Sequence, residues 1–428
     1  MKIKVLVITY DFFPDNSPNT YRWLNVLKEW KKRDVEIFVL ASQKSVFTNY
    51  EEFEGIKIYR TGNSWFDKIK NKIFKISQSS NSSLTEQNKI ISKESFIRKI
   101  YNQTWKKVYF PDFAFLWQSS AYKKAKELIT IENITNVITV SWPFSGHVVG
   151  SKLKKNYNIF WIADTIDPFF LSKAVNNNLL YNSLNYRYEK KILSTADIVT
   201  VLTDKLKEKY ASLYPLIEKK IIVIHNIFVP YELNQSECIV DAKKIKLVFV
   251  GTLTPLTRSP DNLLRLFNNL LKIESREYNL ELHFYGNLVQ CNTIFSQYDF
   301  LLNKSLFLHG VIPRENIPAI LNDATILVNI GNSNEFQEPS KILEYVYLKK
   351  PILNVCSVED DSSKELLSDY PLNFNVFSSE ISDNKKLIEV YKFMTKSDFI
   401  GNEHIEKILQ KYLLQEVEMR YFELLKKY

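Results

Sequence analysis

The chain has 428 residues, 45% apolar and 25% charged. These are ordinary proportions for a globular protein and exclude a disordered chain or a coiled coil. At roughly 100–200 residues per domain, two or three domains are expected. Net charge is +9, from 57 basic and 48 acidic residues, and glycine occurs only nine times. The charge implies an anionic partner. The scarcity means that each glycine answers a local backbone demand.

In chain order, residues 4–10 (KVLVITY) predict a buried first strand, too short an apolar run for a signal peptide. Trp23, Val26, Leu27 and Trp30 recur at helical spacing. Residues 35–40 (VEIFVL) and 56–59 predict two more strands. Residues 65–107 fit neither pattern. They hold ten basic and three acidic residues, a net +7, with Trp65, Phe66, Ile69, Ile73, Phe74 and Ile76 mainly on one helical face. That is the pattern of an interfacial helix on anionic lipid; a solvated surface insertion is the rival. No recognition module or stacking signature points to nucleic acid. Strands follow at 136–140, 159–163, 198–203 and 221–224, then a polar linker at 234–241. A second set occupies 246–250, 281–285, 306–309, 326–330 and 351–355. Strands alternating with helices argue two doubly wound α/β domains with parallel sheets, facing across a cleft.

The remaining counts exclude other chemistries. Cys238, Cys291 and Cys356 form no metal or disulfide pattern, which places the chain in a reducing compartment. The histidines lack ligand spacing, so no metal or other cofactor is expected. No apolar run approaches the ~18–20 residues of a membrane span. The expected location is cytoplasmic, peripheral at the inner face of the cell membrane.

Gly251, Gly286, Gly310 and Gly331 each follow a predicted strand of the second set. In open parallel sheets, ligands bind at that edge, where loops lead into helix N-termini. Turn geometry alone explains any one of the four; together, in a glycine-poor chain, they favour a site. After Gly251 comes Arg258, a bidentate donor suited to phosphate. Further on, Pro339 and Ser340 predict a helix start, with Lys341 and Glu344 on one face of its first turn. The lysine suits a diphosphate and the carboxylate ribose hydroxyls, unless the two form a surface ion pair.

The combination F-V-G-x-L…R-S-P, H-G-V-I-P…I-L-V-N-I-G-N and P-S-K-I-L-E-Y-x-x-x-x-K-P-I-L resembles the nucleotide-sugar half of a GT-B glycosyltransferase. The closest type is retaining family 4, found in bacterial surface-polysaccharide assembly. I-T-Y-D-F-F-P, P-D-F-A-F-L-W, S-W-P-F-S-G-H-V-V-G and W-I-A-D-T-I-D-P resemble its acceptor-side landmarks, so the resemblance covers nearly the whole chain.

The resemblance implies two Rossmann-like domains. Residues 1–228 form the acceptor side, with 408–428 packing back on it, and 229–407 bind the donor. It implies transfer of a sugar, with retention, from a nucleotide diphosphate sugar to a lipid-linked glycan acceptor. Arg258 and Lys341 would meet the diphosphate and Glu344 the ribose. Gly251, Gly331 and Asn332 would lie at the phosphates. The catalytic positions would be His147, a cleft histidine contacting the donor sugar near the reaction centre, and Asp167, which matches the second aspartate of a D-x-R-D-P-W pattern. Asp167 before a proline also suits a cap or turn, and His147 a satisfied core position. The chain departs from the family at Phe336, where a sugar-binding glutamate is usual and Glu338 stands nearby. It departs again at Thr252, Ile166 and Phe169. A nucleotide-sugar epimerase or hydrolase of the same fold, or a non-catalytic assembly partner, is the alternative.

Overall fold

The apolar runs pair as parallel strands covered on both faces, and they do so in two separate sheets. In the computed structural model the described residues are 2–15, 17–44, 47–62, 109–172, 178–231, 243–273, 277–333, 335–336, 338–396 and 401–427. The basic segment 65–107 and the linker 234–241 lie outside them. The chain divides into two compact units: residues 1–225 with 417–428, and residues 226–416.

In the first unit the strands are β1 (Lys4–Ile8), β2 (Glu36–Ser42), β3 (Tyr50–Phe53), β4 (Ile56–Thr61), β5 (Asn136–Ser141), β6 (Phe160–Thr165), β7 (Ile198–Val201) and β8 (Ile221–Val223). The sheet order is β3-β4-β2-β1-β5-β6-β7-β8. All neighbours are parallel except the β3–β4 hairpin. That hairpin was not legible: β3 reads YEEF, a charged edge strand without the apolar run that marks its neighbours. Helices α1 (Pro18–Lys32), α2 (Trp117–Glu132), α3 (Ser145–Asn156), α4 (Asn178–Leu193) and α5 (Asp204–Leu213) connect them. Helix α1 starts where Ser17 accepts the Thr20 N–H, with Pro18 in its first turn, and its predicted apolar face is buried.

The second unit orders β9 (Lys244–Val250), β10 (Asn279–Tyr285), β11 (Leu306–Gly310), β12 (Ile326–Ile330), β13 (Ile352–Cys356) and β14 (Asn373–Phe377) as β11-β10-β9-β12-β13-β14, all parallel. Leu247, Phe249, Leu282, Phe284 and Val328 face one core, shared with α6 (Asp261–Leu270). Val248, Val250, Leu327 and Ile352 face the other, shared with α7 (Ile317–Asn322) and α8 (Lys341–Tyr347). Strands buried on both faces explain the near-continuous apolar runs. A short helix α9 (Ser362–Leu366), then α10 (Asn384–Thr395), α11 (Asn402–Leu409) and α12 (Leu414–Lys426) complete the chain.

Strand order reverses between β9 and β12 in one sheet and between β1 and β5 in the other. At such a reversal the flanking loops diverge to opposite faces, and a crevice opens outside the carboxyl ends of the strands. Gly251 and Gly331 directly follow β9 and β12, one on each side of it.

Candidate functional site

In the second unit the Gly251 N–H donates to Tyr285 O at 2.9 Å, and the Gly286 N–H to Gly310 O at 2.7 Å. Gly286 has φ +126°, and a side chain there would stand 2.0 Å from the Gly251 carbonyl oxygen. Only glycine lets these strand ends approach. The chain then makes a tight loop in which Thr254 and Arg258 exchange backbone hydrogen bonds, each 3.1 Å. The Thr254 and Thr257 hydroxyls bond to each other inside it.

This loop carries Arg258 back over the strand ends. A side chain built on Gly251 would lie 3.7 Å from Nη1, and Nε donates to Asn332 Oδ1 at 3.2 Å. Burial pulls the guanidinium pKa down, while Tyr345 and Asp361 oppose the shift. Arginine stays charged regardless. Neither Nη group has a hydrogen-bond partner among the described residues. The Ser333 N–H also donates to Thr257 O at 2.8 Å, so the loops after β9 and β12 are laced together. Gly251, Arg258, Gly331 and Asn332, picked out separately in the sequence, therefore form one cluster.

Lys341 and Glu344 lie on the first turn of α8, as predicted. They bond to each other: Lys341 Nζ donates to Glu344 Oε1 at 2.6 Å, and both are half-buried. The Tyr231 hydroxyl lies beside them, closed from solvent and without a partner among the described residues. Burial raises its pKa and the Glu344 charge adds to the rise. Glu338 accepts from the Tyr412 hydroxyl at 3.4 Å, and Phe336 is half-buried.

In the first unit, His147 is fully enclosed on α3. Trp161 Nε1 donates to Thr139 Oγ1 at 2.9 Å, and Thr139 Oγ1 lies 2.7 Å from His147 Nδ1. With Trp161 donating to it, the threonine hydroxyl has its own proton left for Nδ1, an arrangement that puts the ring proton on Nε2, 3.3 Å from Thr165 Oγ1. Burial pushes the imidazole pKa down to about 3, so the ring is neutral at physiological pH. Both nitrogens are engaged within the core.

Asp167 lies in the loop after β6, and its carbonyl accepts the Ser141 hydroxyl at 3.0 Å. The loop is gripped from below by Glu189 on α4. That carboxylate accepts the Phe169 and Phe170 N–H groups at 3.0 and 3.1 Å, and the Tyr210 and Tyr214 hydroxyls at 2.7 Å each. Burial raises its pKa against the pull of those four donors.

Asp112 accepts the Ser145 N–H at 2.8 Å and its hydroxyl at 2.7 Å at the start of α3. Burial lifts its pKa to about 6. Asp164 accepts from Trp23, Thr200 and Tyr421, and Arg22 donates to Tyr421 and to the carbonyls of Ile224 and His225. Sequence reasoning missed these side chains. Glu189 stands among cations in Y-R-Y-E-K-K and reads as a surface residue. Asp112 lies in a quoted landmark, P-D-F-A-F-L-W, the one signal that could have singled it out.

Among the described residues, no group of three or more His, Cys, Asp or Glu could hold a metal ion. None of their helices is long and apolar enough to cross a membrane.

No family model matches the sequence, and no curated protein does. Solved structures do. Sucrose-phosphate synthase from Thermosynechococcus elongatus superposes with a TM-score of 0.67 at 10% identity, covering 100% of this chain and 99% of that one. The Anabaena protein HepE, in complex with UDP and glucose, gives 0.60 at 12% identity, covering 100% of both chains. The lipopolysaccharide outer core galactosyltransferase WaaB gives 0.59 at 11% identity, covering 98% of both. The chain has the GT-B fold. Identity this low establishes the fold alone, and the predicted fold class is the one observed.

Proposed function

We propose that this protein is a glycosyltransferase of the retaining family 4 type, moving a hexose from a nucleotide diphosphate sugar to a lipid-linked glycan during surface-polysaccharide assembly. The observation that carries this is Arg258. It is a charged guanidinium at the strand reversal of a Rossmann-type sheet, tied down by Nε, with both Nη groups available to an anion. A diphosphate leaving group gains negative charge as the glycosidic bond breaks, and a fixed cation there lowers that barrier. The UDP in the HepE structure and the outer-core role in the name of WaaB support the donor and pathway class.

In this reading Arg258 and Lys341 hold the diphosphate beside Gly251, Gly331 and Asn332, and Glu344 accepts from ribose. Lys341 and Glu344 exchange their mutual bond for the ligand. Glu338 takes the sugar contact that Phe336 lacks. Asp167 and His147 belong to the acceptor side. The histidine acts there as neutral framework, because burial keeps its ring uncharged and both nitrogens are engaged in the core. The leaving phosphate takes the acceptor proton, and no metal is required. Segment 65–107 brings the enzyme to the inner face of the membrane.

A thermal-shift panel of uridine and guanosine diphosphate sugars tests the donor, since a ligand of the folded state alone raises its stability. Product formation with a lipid-linked acceptor, with and without EDTA, tests transfer and metal independence. A panel with no stabilising donor rejects the proposal. Replacing Lys68, Lys70, Lys72 and Lys75 with glutamate is expected to release the protein from anionic vesicles; unchanged sedimentation rejects the membrane role.

A further inference from the structure

The end of β13 and the segment after it grip the turn that holds Arg258. The Gly331 N–H donates to Val355 O at 2.9 Å, and Ser357 Oγ donates to the Gly331 carbonyl at 2.8 Å. Over the Gly331 α-carbon lies Asp361 Oδ2; a Cβ on Gly331 would stand 1.7 Å from it. The next residue, Asn332, accepts from Arg258 Nε.

Asp361 is itself tightly held and only 1% exposed. Its Oδ1 accepts the Ser363 N–H at 2.9 Å and lies 2.6 Å from the Ser363 hydroxyl. Its Oδ2 accepts the Ser357 N–H at 3.4 Å. Ser363 Oγ is also 3.0 Å from Asn354 Oδ1. Asn354 sits in register between Asn329 and Asn375, bonded to each at 2.7 Å. A buried polar network thus runs across three strands and ends in one carboxylate against Gly331. Such networks are costly unless every member is satisfied, and when satisfied they lock one geometry.

We propose that Asp361 is a positioning residue of the donor site. By fixing the Gly331–Asn332 turn it holds the Arg258 guanidinium by its Nε, leaving both Nη groups for a nucleoside diphosphate. The identity of the ligand rests on the function proposed above; the positioning does not.

Two measurements test it. In the ligand-free protein, NMR follows hydrogen exchange at Arg258 Nε–H. Asp361→Ala is expected to speed that exchange at least tenfold. Asp361→Asn should do so less, because its amide oxygen still accepts from Ser363. Unchanged exchange in folded Asp361→Ala overturns the proposal. Should that variant not fold, Ser363→Ala, which removes one donor to Asp361, is read by the same criterion.

Calorimetry then compares UDP and GDP with their monophosphates and nucleosides. Asp361→Asn should weaken diphosphate binding about tenfold, spare the nucleosides, and add nothing in an Arg258→Gln background. Equal loss for nucleoside and diphosphate, or additivity with Arg258→Gln, overturns it. If the wild-type protein binds no nucleoside diphosphate, the proposed function falls, and the exchange measurement alone decides the positioning role.

Discussion

Both units carry polar clusters near the strands of their sheets, but the clusters differ in what they leave over. In the first unit Asp112, Asp164, Glu189 and His147 are fully buried, and hydrogen bonds from the same unit engage each of them. In the second, Arg258 spends one of its three nitrogens on Asn332 and, among the described residues, keeps two, while Lys341 and Glu344 are half-buried and bond only to each other. A titratable group next to a strand end is therefore not by itself a site. It becomes one when the fold leaves part of its bonding capacity unmet and within reach of solvent.

The largest expected effect belongs to the closed cluster. Glu189→Ala strands four donors in the core and should cost about 3–5 kcal/mol in urea unfolding. Nucleotide affinity at the other unit should stay unchanged. A loss of less than 1 kcal/mol would mean that the grip on the Asp167 loop is not what the geometry implies.

His147 gives the next effect. Its folded pKa lies below its unfolded value, so the unfolded chain binds the extra proton on acidification. Its contribution is fully present above about pH 6.5 and is lost towards the folded value of about 3. Between pH 6.5 and 4 that is roughly 3 kcal/mol. Asp112 acts in the opposite sense. Its folded pKa is raised to about 6, so protonation over the same range favours the folded state and offsets part of the loss. His147→Gln, which keeps a donor and an acceptor but cannot titrate, should remove the histidine contribution. Identical pH profiles for the two proteins would place the ring in contact with water.

The open cluster should respond in binding rather than stability. Arg258→Ala is expected to weaken nucleoside diphosphate binding by about 2 kcal/mol, roughly thirtyfold, with little change in melting temperature. A large melting shift with intact affinity would move Arg258 into the framework class. The smallest effect is that of Glu344→Ala, about 1 kcal/mol or roughly fivefold in calorimetry. Unchanged affinity would leave Glu344 as the surface partner of Lys341, a pair of little energetic worth.

Much of the fold was legible in the sequence because both-face burial writes itself as runs of Val, Ile and Leu. Residues 326–330 read as a strand and form β12 without a shift. Two strands escaped, and both lie at sheet edges: β3, charged, and β14, NFNVF, whose pattern is broken by asparagine. At the candidate site, glycine and arginine near strand ends were visible. Asp361 was not, because its only sequence signature is an acidic run, E-D-D-S-S, of the kind that usually marks a solvated loop.

By itself, then, the sequence determined the order of the strands that carry apolar runs, their grouping in two α/β sets, and the glycines that end strands of the second. These are local properties, set by the burial of short apolar runs and by backbone conformation. Only the tertiary structure decided which polar groups are consumed and which remain available. The partners that satisfy them are far apart in the chain: Arg258 meets Asn332 across 74 positions and Arg22 meets Tyr421 across 399. No local pattern encodes whether such a bond is made, because satisfaction of a buried polar group depends on every element packed around it.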